Sequence, residues 1–134
     1  MTQAREVLIY GASGYTGKLV AEYLATRNIP FYMAGRTRSR LETALDVVKQ
    51  RVGGHVDAQI VTANNTVAEL LPLLNGVKVV INVAGPFMQV AWPVVEAALE
   101  AGCHYLDTTG EQDWTIAIAD KFGKAFADKG LLLC

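Results

Sequence analysis

The stretch Val7–Gly17, VLIYGASGYTG, leaves the chain few folds to choose from. Val7, Leu8, Ile9 and Tyr10 form a run with no polar face, the pattern of a strand in a parallel sheet covered on both sides. Gly11 breaks that run, and Gly14 and Gly17 follow at three-residue spacing. Next comes KLVAEYLATR, which sets Leu19, Val20, Tyr23 and Leu24 on one face of a helix. Strand, glycine turn and helix, in that order, make a trap for phosphate. Glycine allows a tight turn and a close approach of main chain to a diphosphate, and the helix N-terminus offers unpaired N–H groups with partial positive charge. The usual dinucleotide spacing is GxGxxG; here it is GxxGxxG, which moves the first turn but keeps the mechanism. Ser13, Tyr15 and Thr16 lie in the same turn and join Gly11, Gly14 and Gly17 as candidate cofactor contacts.

Strands and helices then alternate. Phe31–Ala34 is expected as a second strand, followed by a helix over Arg40–Val52 that Ser39 and Glu42 open as a capping box. Asp57–Ala63 reads as a third strand, and Thr66 with Glu69 as a second box for a helix through Leu74. Val77–Val83 is the fourth strand, and the next helix runs from about Val90 to Ala101 with Pro93 in its first turn. Tyr105–Asp107 lies in a fifth strand, Thr109 and Gln112 suggest a third box for a helix to Lys129, and Leu131–Cys134 would be a sixth strand. This predicts an α/β protein: a Rossmann-type doubly wound parallel sheet in three α/β/α layers, strand order 3-2-1-4-5-6. At 134 residues the whole chain is one such domain.

The end of the second strand selects the dinucleotide. Domains that bind NAD place an acidic residue there to hold the ribose 2′-hydroxyl. Here the segment reads Ala34-Gly35-Arg36-Thr37-Arg38-Ser39-Arg40, with no carboxylate and three arginines in five residues. A guanidinium matches the oxygens of a 2′-phosphate in a forked, charge-assisted contact, which a carboxylate would repel. Gly35, Arg36, Arg38 and Ser39 are therefore candidate contacts for NADP, with NAD the weaker alternative. Ser39 also serves as the helix cap, and Arg38 and Arg40 either join the phosphate or remain solvated surface charges.

Ligands of open α/β sheets lie beyond the carboxyl ends of the strands. Ala84, Gly85, Pro86 and Phe87 follow the fourth strand, where a Gly-Pro turn either passes close to the nicotinamide ribose or is merely a turn. Asp107–Glu111 follows the fifth strand, and its polar groups face a substrate or simply cap the next helix. Asn64 and Asn65 lie where an adenine would approach.

Composition closes other routes. A net charge of −1 provides no general pull toward nucleic acid or a membrane surface. The longest apolar region, Val77–Cys103, is broken by Asn82, Pro86, Gln89, Pro93 and Glu96, so no membrane span is expected. MTQAREV shows no apolar signal core, and Cys103 and Cys134 have no metal-like spacing, pointing to reduced thiols in a cytoplasmic protein. No metal cluster and no catalytic acid or base are identifiable. None of the five tyrosines has Lys four residues on, as a short-chain dehydrogenase requires, and His55 and His104 read as structural. Hydride transfer belongs to the cofactor, so a cofactor domain can lack catalytic side chains and still serve an enzyme.

GASGYTGKLVAEYL, AGR, NVAGPF and VVEAALEAGCHYLDTTGE together resemble the N-terminal NADP-binding domain of the saccharopine dehydrogenase family, in particular its saccharopine dehydrogenase-like oxidoreductases and trans-acting enoyl reductases. The resemblance covers nearly the whole chain. It implies an NAD(P)-dependent oxidoreductase with the cofactor on Gly11–Gly17, Arg36 and Ala84–Phe87, and with YLDTTGE bordering a cleft between domains. It also implies that the small-molecule substrate is held by a second domain absent from this chain. Two alternatives stand beside it: an NADP-sensing module without turnover, and an oligomerisation piece whose apolar last helix and strand pair with a second copy.

Overall fold

The computed structural model describes residues 5–134. The expectation about the MTQAREV leader rests largely on residues 1–4, outside the described residues. Five parallel strands form one sheet: β1 (Val7–Tyr10), β2 (Phe31–Gly35), β3 (Ala58–Thr62), β4 (Val79–Asn82) and β5 (His104–Asp107), in the order 3-2-1-4-5. Between them run α1 (Tyr15–Thr26), α2 (Arg38–Val52), α3 (Val67–Leu70) with a 3-10 turn at Leu71–Leu74, α4 (Phe87–Val90) and α5 (Trp92–Ala101), and α6 (Gln112–Asp128) follows β5.

Alternation along β1 divides the core. Ile9, with Phe31 and Met33, packs beneath α1 and α2 against Ala21, Leu24 and Leu41. Leu8 and Tyr10, with Val80 and Tyr105, face the other layer and meet Leu74, Val95, Trp114 and Phe126. Each parallel connection must cross over in the same hand. Moving from β1 outward to β3 therefore puts α1 and α2 on one face, and reversing direction to β4 and β5 puts α3, α5 and α6 on the other. The reversal falls between β1 and β4, whose Tyr10 and Asn82 stand in register.

Four local expectations need correction. The sixth strand is not formed. Leu131–Cys134 reaches the outer edge of β5, and Cys134 N–H donates to Tyr105 C=O at 2.9 Å, but the segment makes one isolated bridge, Tyr105 with Leu133. Four residues supply a single bridge, and a ladder needs consecutive ones. Ser39 is not the cap of α2. That helix starts two residues earlier with Thr37 as N-cap, because the chain turns directly after β2 and Leu41 N–H already donates to Thr37 C=O. Thr109 does not cap α6; its Oγ1 accepts from Glu111 N–H at 2.9 Å, and Glu111 takes the cap position. The helix expected over Val90–Ala101 begins earlier and breaks in two at Ala91, since Pro93 cannot donate to the preceding turn. The Thr66–Glu69 box forms in part: Thr66 Oγ1 accepts from Glu69 N–H at 3.3 Å, while the Glu69 carboxylate accepts from Asn64 N–H at 3.2 Å.

Candidate dinucleotide site

Tyr10, Ala34, Asn82 and Asp107 are register partners across four strands, so the loops that follow them all open on the carboxyl edge of the sheet. The turn after β1 is built by two of its three glycines. Gly11 has φ +83°, and a Cβ there would lie 2.8 Å from both the Cβ and the backbone N of Ala84. A Cβ on Gly17 would lie 2.6 Å from Ala12 Cα and 2.7 Å from Gly11 C=O. Both positions are closed to side chains by backbone, which is rigid. Gly14 differs: it is exposed, its φ is −77°, and the nearest atom to an added Cβ is Gly11 C=O at 3.5 Å. The fold does not need glycine there.

Gly14 is also the N-cap of α1, without a side chain to cap it. Lys18 N–H to Gly14 C=O is the first bond of the helical ladder, so the amides of Tyr15, Thr16 and Gly17 stand outside it. The start of α2 is similar: Thr37 makes no side-chain cap, and the amides of Arg38, Ser39 and Arg40 precede the first ladder bond. The two helix N-termini border a cleft of about 440 Å³ lined by Ser13, Gly14, Lys18, Ser39, Arg40 and Thr43. Two bare helix starts and two cations facing one cleft can hold an anion. Lys18 escaped the sequence reading, although a lysine one turn into the helix after a glycine turn is the signal to look for. Arg36 lies one residue beyond β2, exposed, near Tyr10 rather than in the cleft lining. Burial raises the Tyr10 pKa and the nearby Arg36 charge opposes that rise. Among the described residues Arg36, Arg38 and Arg40 make no ion pair.

On the far side of the turn, Ala84 is fixed by a buried polar chain. Asn82, fully buried, accepts from Ala84 N–H through Oδ1 at 3.1 Å and donates through Nδ2 to Tyr105 Oη at 3.0 Å. Tyr105 O–H and Trp114 Nε1–H both donate to Asp107 Oδ2 at 2.8 Å. Burial raises the Tyr105 pKa strongly, so the phenol keeps its proton for that bond. Asp107, expected to face a substrate or cap a helix, is turned into the fold instead. Asn82 was the missed signal, an amide within the apolar run VVINV. Asn65 is likewise engaged, its Nδ2 donating to Val90 C=O at 2.6 Å. Gly85 and Pro86, joined by a cis peptide, are exposed, Phe87 is buried, and the neighbouring Met88, Gly110, Glu111 and Asp113 line an open cleft of about 450 Å³.

Sheet order and edge together define a doubly wound nucleotide-binding fold whose first turn leaves its helix N-terminus free. The profile described as "Saccharopine dehydrogenase NADP binding domain" matches residues 7–127, and the chain belongs to that family; NADP is its cofactor. Among curated relatives, "Lipid droplet localized protein" of Caenorhabditis elegans is 33% identical over 132 residues, covering 94% of this chain and 31% of its own. "Saccharopine dehydrogenase-like oxidoreductase" of Mus musculus is 29% identical, with 95% and 32% covered, and "Trans-acting enoyl reductase" of Mycobacterium ulcerans is 31% identical, with 93% and 30% covered. The chain thus spans about a third of the length of these relatives. A solved actinorhodin polyketide ketoreductase with NADPH shares the fold at TM-score 0.69 and 19% identity, covering 97% of this chain and 68% of that one. Leucoanthocyanidin reductase of Vitis vinifera, in a binary complex with NADPH, does so at TM-score 0.66 and 17% identity, covering 93% and 46%.

Proposed function

We propose that this chain is the cofactor half of an NADP-dependent oxidoreductase, with a substrate held by residues outside it. The observation that carries the site assignment is Gly14, which the fold leaves free to be any residue and which stands where a diphosphate would meet the amides of Tyr15, Thr16 and Gly17. Gly11 and Gly17 shape that cradle, and Ser13 lines it. Gly35 and Arg36 meet the adenosine end, Arg36 taking the 2′-phosphate with Arg38, Ser39 and the amides at the start of α2. Ala84, Gly85, Pro86 and Phe87 border the nicotinamide ribose. The bound cofactor supplies hydride transfer; the chain binds it, orients it and excludes water. The open cleft beside Met88 and Glu111 favours a working oxidoreductase over a closed sensor.

The greater length of the relatives supports a second, substrate-holding domain in the whole protein. A cytoplasmic setting is proposed with it. The name of the worm relative raises a lipid-droplet surface as the competing location, and fractionation of the full-length protein separates the two. Among the described residues no helix is long and apolar enough to cross a membrane.

Fluorescence titration tests the assignment. NADPH binds the unaltered chain more tightly than NADH, and Gly14→Val abolishes binding while the circular dichroism spectrum and unfolding midpoint stay in place. Retained binding in Gly14→Val removes the diphosphate cradle from the account.

A further inference from the structure

Glu111 holds a position that the assignment above does not use. Its two carboxylate oxygens accept separately, from Phe87 N–H at 2.7 Å and Met88 N–H at 3.1 Å. Both amides belong to the first turn of α4, a four-residue helix whose N-cap, Pro86, has no side-chain acceptor. A helix so short cannot hold its own shape, because the cost of nucleation is spread over almost no ladder bonds. A carboxylate from the loop after β5 satisfies the free amides instead, and so fastens the loop after β4 to it. The anchor is itself fixed: Thr109 Oγ1 accepts from Glu111 N–H at 2.9 Å, and Asp107 Oδ1 accepts from Thr109 N–H at 3.1 Å. At the other end of the same loop, Asn82 holds Ala84 N–H. Gly85 and Pro86, the exposed residues between these two anchors, are thereby suspended from side chains of the β4–β5 half of the sheet.

We propose that Glu111 is a positioning residue for the nicotinamide half of the cofactor, setting the Gly85–Phe87 backbone against the nicotinamide ribose without touching the cofactor itself. The proposal rests on the assignment of the NADP site above, so its test separates the two halves of the ligand. Adenosine 2′,5′-bisphosphate reports the adenosine half alone, its 2′-phosphate at Arg36 and its 5′-phosphate on the glycine cradle, whereas NADPH reports both halves, and its nicotinamide emission reports enclosure of the ring.

Calorimetric titration of the chain with each ligand, with NADPH emission recorded in parallel, in unaltered form and as Glu111→Ala and Glu111→Gln, decides the matter. In Glu111→Ala, NADPH affinity falls about tenfold, the shift that about 1.4 kcal/mol makes, and the emission change on binding is lost, while bisphosphate affinity holds within about twofold. Glu111→Gln keeps one carbonyl acceptor and recovers part of the loss. Unchanged NADPH affinity and emission in Glu111→Ala overturn the proposal, as does an equal loss for both ligands, which marks damage to the fold as a whole. Failure of the bisphosphate to bind even the unaltered chain overturns the site assignment, and the role of Glu111 falls with it.

Discussion

Three glycines at equal spacing do three different jobs. Gly11 yields to the backbone of Ala84, Gly17 yields to Ala12, and Gly14 meets no close neighbour among the described residues. Alanine at position 17 must push apart backbone atoms now 2.6 to 2.8 Å from its Cβ, and Gly17→Ala is expected to cost about 1–3 kcal/mol, read as a lower urea midpoint. Gly14→Ala leaves that midpoint in place; a destabilisation equal to that of Gly17→Ala would contradict the division of labour. Arg36→Ala removes a charge-assisted contact worth about 1.5–3 kcal/mol, so NADPH affinity drops tenfold or more while NADH affinity is nearly unchanged. Equal affinity of the unaltered chain for the two dinucleotides would remove Arg36 from its role. The motif was legible in the sequence because strand, turn and helix are contiguous there. The separate duties of its glycines were not, since Ala84 meets Gly11 only after the sheet assembles.

At the scale of elements, local signals set what formed and distant partners set where it began. β1 and β2 emerged close to the expected bounds because their apolar runs are flanked by Gly, Pro and charge. Ser39 and Thr109 both carried good capping chemistry and neither caps a helix, because Thr37 came first at one and Glu111 was drawn to α4 at the other. The chain of Asn82, Tyr105, Asp107 and Trp114 was invisible for the same reason: it joins residues from two strands and a helix. Tyr105→Phe strands the Asn82 amide in the core and is expected to cost about 1–3 kcal/mol in denaturant unfolding. Alkaline pH gives a second reading of these burials. Tyr10, Cys103 and Tyr105 have pKa values raised by burial above their ordinary 10.0, 9.0 and 10.0. The unfolded chain therefore loses these protons first, so their contribution is complete below pH 9 and declines as pH climbs through the window above it. Urea midpoints measured from pH 7 to pH 11 should fall above about pH 9, and less steeply in Tyr105→Phe. A flat profile contradicts the burial assignment.

Across the whole molecule, alternation of strands and helices made the sheet order readable from the sequence, the sixth strand excepted. What alternation could not show is which face is left bare. Ile81 and Leu106 share the face of Ile9 by register, yet they are only half-buried and join neither core cluster. The sequence reading placed exposed apolar surface on the last helix and strand. The structure meets that in part: it buries Trp114, Phe122 and Phe126 of α6 but leaves Ile116 of that helix and Leu132 of the last segment exposed, at 60% and 61%, and it adds Tyr15, Leu19 and Tyr23 of α1, at 73%, 43% and 58%, each four residues from the next. From a stripe of this kind beside a half-open sheet face, self-association of the chain is the expected outcome. Light scattering is expected to show a mass above the monomer that Leu19→Lys with Tyr23→Lys returns to it; a monomer at high concentration for the unaltered chain contradicts this.

The most direct test is a crystal structure of the chain with NADPH. The diphosphate is expected on the amides of Tyr15, Thr16 and Gly17 over Gly14, with the 2′-phosphate within hydrogen-bond reach of the Arg36 guanidinium. A diphosphate seated elsewhere, or a 2′-phosphate pointing into solvent away from Arg36, would contradict that placement.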